Sequence, residues 1–129
     1  MPESHAPLLE ATLEGGVLVL TITATKIEGE PLAEQLREEM LAAVAQHQAN
    51  RVVIDLARTR YVSSIIFWPL LTLRKQLGAR GGRLLICGLT GMVHDVFTTT
   101  RMVNTGQSPE APFEMAPDRA SAVARLSTA

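Results

Sequence analysis

The chain has 129 residues, of which 47% are hydrophobic, 19% charged and only 4% aromatic, and its formal net charge is −1. That length fits one domain, 1–129, with an aliphatic core, and the charge balance gives no basic footprint for nucleic acid or an acidic membrane. No stretch approaches the roughly 20 apolar residues that span a bilayer, Met1 to Pro7 lacks the features of a signal peptide, and Cys87 is the single cysteine, so a soluble cytoplasmic protein without disulfides is expected.

In chain order, Leu8 to Leu13 and Val17 to Thr23 are two short β-prone runs split by Gly15-Gly16, which predicts an antiparallel hairpin. The polar segment Lys26 to Glu30 then takes the chain out of the sheet. Pro31 suits a first helical position, and Leu32, Leu36, Met40 and Val44 recur every fourth residue, predicting an amphipathic helix from about Pro31 to His47. Val52 to Leu56 is a short apolar run of the kind covered on both faces of a sheet. After the linker Ala57 to Val62, a second helix is predicted from Ser63 or Ser64 to about Gly81-Gly82. Its inward stripe is Ile66, Leu70, Leu73 and Leu77, with Arg74 and Lys75 outward. Leu84 to Gly88 is another buried-type strand, and Thr90 opens a third helix with Val93, Val96 and Phe97. Beyond a polar connection, Thr98 to Pro112, an edge strand is expected at Phe113 to Met115. Asp118 would cap a last helix with Ala120, Val123 and Ala124 inward. The pattern implies an α/β sandwich, and residues 1–7 and 127–129 are expected to fray.

The residues give no catalytic constellation. His5, His47 and His94 are scattered without metal-ligand spacing, and neither Gly-Gly pair belongs to a phosphate-cradling loop. Asp55 ends a buried strand but has no recognisable basic or nucleophilic partner, and Cys87 reads as a buried structural thiol. The sequence therefore predicts no catalytic residue, no metal and no cofactor.

Val52 to Gly88, VVIDLARTRYVSSIIFWPLLTLRKQLGARGGRLLICG, is the informative segment. A strand ending in Asp-Leu, a short linker, two serines opening a helix, and a Gly-Gly turn before the next strand together resemble the STAS domain family, the anti-sigma factor antagonists and their relatives. The resemblance runs over nearly the whole chain and implies a STAS-type sandwich: a mixed sheet of four to five strands with about four helices packed on it. In that family the second helix usually opens Asp-Ser-Ser/Thr-Gly, and the serine after the aspartate is phosphorylated by a partner kinase. Here Ser63 stands at the aspartate position and Ser64 at the acceptor position, while Ile65 and Ile66 replace the second hydroxyl residue and the glycine.

The resemblance implies a non-enzymatic module that binds a serine kinase or anti-sigma factor of the ATPase fold and is regulated at Ser64, with a phosphatase as resetting partner. Thr59, Arg60, Ser63, Ser64, Ile65, Phe67, Trp68 and Arg101 are the expected partner contacts. The alternative is a non-phosphorylated scaffold or transporter-associated subunit with a permanent interface, and a homodimer is compatible with either.

The residues of this segment also speak for themselves. A helix-opening serine can cap free backbone N–H groups, and the same place favours an added anion. Ile65-Ile66-Phe67-Trp68 cannot all face the sheet, because successive helical residues turn by about 100°. Either the outward ones pack under loops or Ile65, Phe67 and Trp68 contribute a docking face. Pro69 predicts a kink, a tightened helix start, or regular helix only from about Trp68. Of the five aromatic residues, Tyr61, Phe67 and Trp68 lie within eight positions of one another, around the two serines.

Overall fold

The computed structural model describes residues 6–104 and 111–127. His5, part of the polar connection and most of the residues expected to fray lie outside them. In chain order the elements are β1 (Leu9–Glu14), β2 (Val17–Ile22), β3 (Lys26–Ile27), α1 (Glu30–His47), β4 (Arg51–Asp55), β5 (Tyr61–Val62), a 3-10 turn (Ser64–Ile66), α2 (Phe67–Ala79), β6 (Arg83–Cys87), α3 (Gly91–Thr99), β7 (Glu114–Ala116) and α4 (Arg119–Ser127).

Gly15 and Gly16, both at positive φ, turn β1 into β2, and the two strands pair antiparallel from Leu9 opposite Ile22 to Glu14 opposite Val17. The remaining pairings are parallel, and the main sheet has the order β1-β2-β4-β6-β7. With five strands and four helices, the fold matches the mixed sheet of four to five strands and about four helices that the family resemblance implies.

Strand alternation divides the interior into two layers. Val52, Ile54, Leu84 and Ile86 face one side and join Leu36, Met40, Leu70, Leu73, Phe97 and other residues of α1, α2 and α3 in the larger core. Val53, Leu85 and Cys87 face the other side, where Ala122 and Leu126 of α4 cover them. Both faces of the central strands are thus dry, which explains their unbroken apolar runs. Each fully buried aliphatic side chain contributes about 1.5–3 kcal/mol, so most of the stability comes from the larger layer.

The helices follow their sequence signals with one correction. Pro31 lies in the first turn of α1, and Leu36, Met40 and Val44 are buried while Leu32 is half-buried. In α2 the stripe Ile66, Leu70, Leu73 and Leu77 is buried as expected. Asp118 caps α4, its carboxylate accepting the Ser121 N–H at 2.8 Å. However, Ala122 and Leu126 are the inward residues of α4, with Val123 partly buried, whereas Ala120 and Ala124 are exposed. Small alanines on a short helix give no reliable stripe, and Leu126 decides which face turns in.

A second, two-stranded parallel sheet is formed by β3 and β5, with Lys26 opposite Tyr61 and Ile27 opposite Val62. The sequence reading passes over it, treating one half as a polar exit and the other as linker. This small sheet stands directly before the paired serines.

Candidate functional site

The stretch from Asp55 to Ser63 is bonded along its length. Asp55 is 7% exposed at the end of β4, and its Oδ1 accepts the Ala57 N–H at 3.0 Å. Leu56 donates its N–H to the Cys87 carbonyl at 3.0 Å. Gly88 makes this approach possible: its φ is +75°, and a Cβ there would lie 2.8 Å from both the Ala57 nitrogen and Asp55 Oδ1. Further along, the Thr59 hydroxyl donates to the Ala24 carbonyl at 2.8 Å. Arg60 and Tyr61 both donate their N–H groups to the Thr25 carbonyl, and Ser63 donates its own to Ile27 at 3.0 Å. Lys26 sits 5.5 Å from the centre of the Tyr61 ring and pairs with Glu28 at 2.8 Å.

Immediately afterwards the side chains change character. Ser63 is extended, with φ −101° and ψ 168°, and its carbonyl accepts the Ile66 N–H at 3.1 Å. Its hydroxyl does not cap the turn, so the capping role that the sequence allows it is not taken up here. Ser64 opens the 3-10 turn with an exposed side chain, and no hydrogen bond joins its hydroxyl to another described residue. The 3-10 turn is the tightened start, one of the outcomes expected from Pro69, and regular helix follows from Phe67.

The four apolar residues after Ser64 divide by direction. Ile66 is fully buried, and Phe67 packs edge-on against Phe97 with ring centres 5.1 Å apart. Ile65 is half-buried. Trp68 is 45% exposed, and Leu71, three residues on, is 39% exposed. Arg37 of α1 lies 5.6 Å from the centre of the Trp68 ring. The same guanidinium donates from Nε and Nη2 to the two oxygens of Glu34, at 3.0 and 2.6 Å. That bond holds the Glu34 carboxyl below its ordinary range and raises the Arg37 guanidinium in turn.

Two expected contacts need correction. Thr59 is fully buried and bonded inward, and Phe67 turns into the core, so neither offers a surface to a partner in this conformation. They support the turn from below. Of the other expected contacts, Arg60, Ser64 and Trp68 are exposed, and Ser63 and Ile65 are half-buried. Arg101 is exposed just past α3, whose Phe97 touches Phe67, but no bond joins Arg101 to the serine turn among the described residues. The sequence reading missed Arg37 and Leu71; the i, i+3 spacing of Trp68 and Leu71 was a usable signal, whereas the contact of Arg37 with Trp68 arises only from helix packing.

Other chemistry is sparse. No group of three His, Cys, Asp or Glu side chains among the described residues could hold a metal ion. Burial, reinforced by the charge of Asp55, pushes the Cys87 thiol up to about 12, which leaves it protonated and unreactive. No helix of the described residues is long and apolar enough to cross a membrane.

The sequence profile of the STAS domain matches residues 9–116, which includes the hairpin, the serine turn and β7. The chain belongs to the STAS domain family. It is 35% identical over 97 residues to BtrV of Bordetella bronchiseptica, whose name places it among the anti-sigma factor antagonists. The match covers 75% of this chain and 77% of that protein. Among solved structures, a STAS domain protein from Planctomyces limnophilus superposes with a TM-score of 0.70 at 20% identity, covering 92% of this chain and 96% of that one. The phosphorylated form of the Bacillus cell fate determinant SpoIIAA superposes with a TM-score of 0.64 at 17% identity, covering 92% and 98%. The fold of this STAS protein is thus that of the anti-sigma factor antagonists.

Proposed function

We propose that this STAS protein is a partner-switching module whose switch is Ser64. Unphosphorylated, it binds a serine kinase or anti-sigma factor of the ATPase fold and so frees the effector that partner restrains. Phosphorylation of Ser64 by the kinase dissolves the complex, and a phosphatase restores it. The protein is the substrate in this cycle and catalyses nothing.

The observation that carries the reading is the state of Ser64. Its hydroxyl is exposed and has no described partner, while the backbone on either side is fixed by the small sheet and the 3-10 turn. A kinase can reach it without unfolding anything. A phosphate there adds about −1.5 to −2 charges beside an apolar anchor, enough to expel a docked surface. Trp68, Ile65, Arg60 and Ser63 form the face that the partner covers, with Trp68 as its largest exposed apolar group. BtrV, bearing the name of an anti-sigma factor antagonist, and SpoIIAA, which exists in a phosphorylated form, support the same assignment.

A specific feature favours a second reading, a scaffold with a permanent interface. At the family's glycine position stands Ile66, fully buried, and the acidic residue before the acceptor is Ser63. One experiment separates the two. The protein and its Ser64→Ala variant are incubated with ATP and any ATPase-fold serine kinase that the neighbouring genes encode, then weighed intact. The switch predicts one added phosphate on wild type and none on Ser64→Ala. Unmodified wild type in a stable complex would instead establish the scaffold.

A further inference from the structure

We propose that Arg37 reads the phosphorylation state of Ser64: its guanidinium leaves Glu34 for a phosphate on Ser64 and thereby uncovers the Trp68 ring. This rests on the switch reading of Ser64 and adds the route by which the mark reaches the docking face.

The packing of α1 on the serine turn and on α2 suggests this route. Because β2, β4 and β6 are parallel, α1 and α2 run in the same direction from the same end of the sheet, and α1 packs against both α2 and the 3-10 turn. Trp68 follows Ser64 by four residues, across the 3-10 turn and into the first turn of α2. Arg37 covers the Trp68 ring from α1, and its fork is drawn to Glu34, one turn nearer the end where Ser64 lies. Both members of that ion pair are partly exposed, at 27% and 43%, so the pair is held weakly and can be exchanged. A phosphoserine brings more charge than a carboxylate and three acceptor oxygens, and a guanidinium fork matches its geometry better than any other side chain. Glu38, also close to Arg37, strengthens the cation without holding it in a bond. Arg60, exposed on the linker side, is the rival cation. When Arg37 swings to the phosphate, the tryptophan loses its cation and its cover in one movement. The mark then acts twice, through its own charge and by taking from the docking face the Arg37 cation that the unmodified protein presents beside Trp68.

Trp68 is the single tryptophan, so its emission reports this movement directly. The test uses full-length chain with phosphoserine installed at position 64 by genetic encoding or semisynthesis, which makes it independent of any kinase. The phosphate is titrated by phosphorus NMR in the wild-type background and in Arg37→Gln, Glu34→Gln and Arg60→Gln. The expected midpoint in wild type lies below that of Arg37→Gln by roughly half a pH unit, and Glu34→Gln, which frees Arg37, lowers it further. Trp68 emission changes on phosphorylation in wild type and stays constant in Arg37→Gln. Equal midpoints in wild type and Arg37→Gln, or a shift that follows Arg60→Gln alone, would overturn the proposal. Were a kinase to modify Ser64 while the midpoint ignored Arg37, the switch would stand and the reader would fall. Were no kinase to modify it while the midpoint followed Arg37, the reverse would hold.

Discussion

The linker from Leu56 to Val62 and the turn from Ser63 to Trp68 are neighbours in the chain and are held in opposite ways. The linker is fixed by inward bonds, from Leu56 to Cys87, from Thr59 to Ala24, and from Arg60 and Tyr61 to Thr25. The turn is fixed by its backbone and by two buried side chains, Ile66 and Phe67, while the Ser63 hydroxyl leaves the turn uncapped and Ser64 and Trp68 are exposed. Under the proposed switch, this difference separates support from signalling. Rigidity is supplied beneath, so a modification above changes charge and contacts without first having to reorganise the fold.

That separation can be broken at several points. The largest effect is expected from Ile66→Gly, which restores the residue common in the family. It empties a fully buried site, so it should destabilise the protein by about 3–5 kcal/mol, seen as a lower midpoint in urea without a change of slope. An unchanged midpoint would mean that Ile66 does not anchor the turn. Next comes Gly88→Ala, where a Cβ would collide with Ala57 and Asp55 at positive φ. A cost of roughly 1–3 kcal/mol and weaker protection of the Ala57 amide in hydrogen exchange are expected.

The outer face should behave differently. Trp68→Ala is expected to leave the urea midpoint within about 0.5 kcal/mol of wild type but to weaken partner binding by about 2 kcal/mol, or about 30-fold in Kd. Calorimetric titration against the partner measures this, and a large loss of stability with unchanged affinity would merge the two regions again. Thr59→Val should do the converse, losing about 1 kcal/mol of stability while binding tightly once folded. The smallest effect lies away from both regions, at the bidentate pair of Arg83 and Glu114. Arg83 holds the Glu114 carboxyl below its ordinary 4.5. The pair therefore stabilises the fold fully above that value and loses its contribution as pH falls through the lowered one. Exposure of the pair keeps the effect below about 1 kcal/mol. The stability gap between wild type and Glu114→Gln should accordingly close on acidification, as urea titrations at two pH values would record.

The sequence made much of the support legible and less of the face. Pro31 with the four-residue spacing to Val44 marks α1, and unbroken runs such as Val52 to Leu56 mark strands covered on both sides. Two-residue strands carry no periodicity, so β3 and β5 were invisible, and with them the reason the serine turn is so well fixed. Resemblance to the STAS domain family located Ser64, and the crowding of Tyr61, Phe67 and Trp68 pointed to the same place. Composition does not say which of those aromatics turns inward, and Phe67 does so because Phe97 of α3 waits on that side. The hydroxyl of Thr59 found a backbone carbonyl 35 residues away rather than a partner. Arg37 and Trp68 meet only because α1 packs on α2, a tertiary contact between residues about thirty positions apart that local patterns do not encode.

The most direct test of the central claim is the affinity of the ATPase-fold partner for the same chain with and without phosphate on Ser64, measured by calorimetry. The account predicts tight binding to the unmodified protein and its loss in the phosphorylated one, with unfolding midpoints of the two forms alike. Equal affinity for both forms would contradict it.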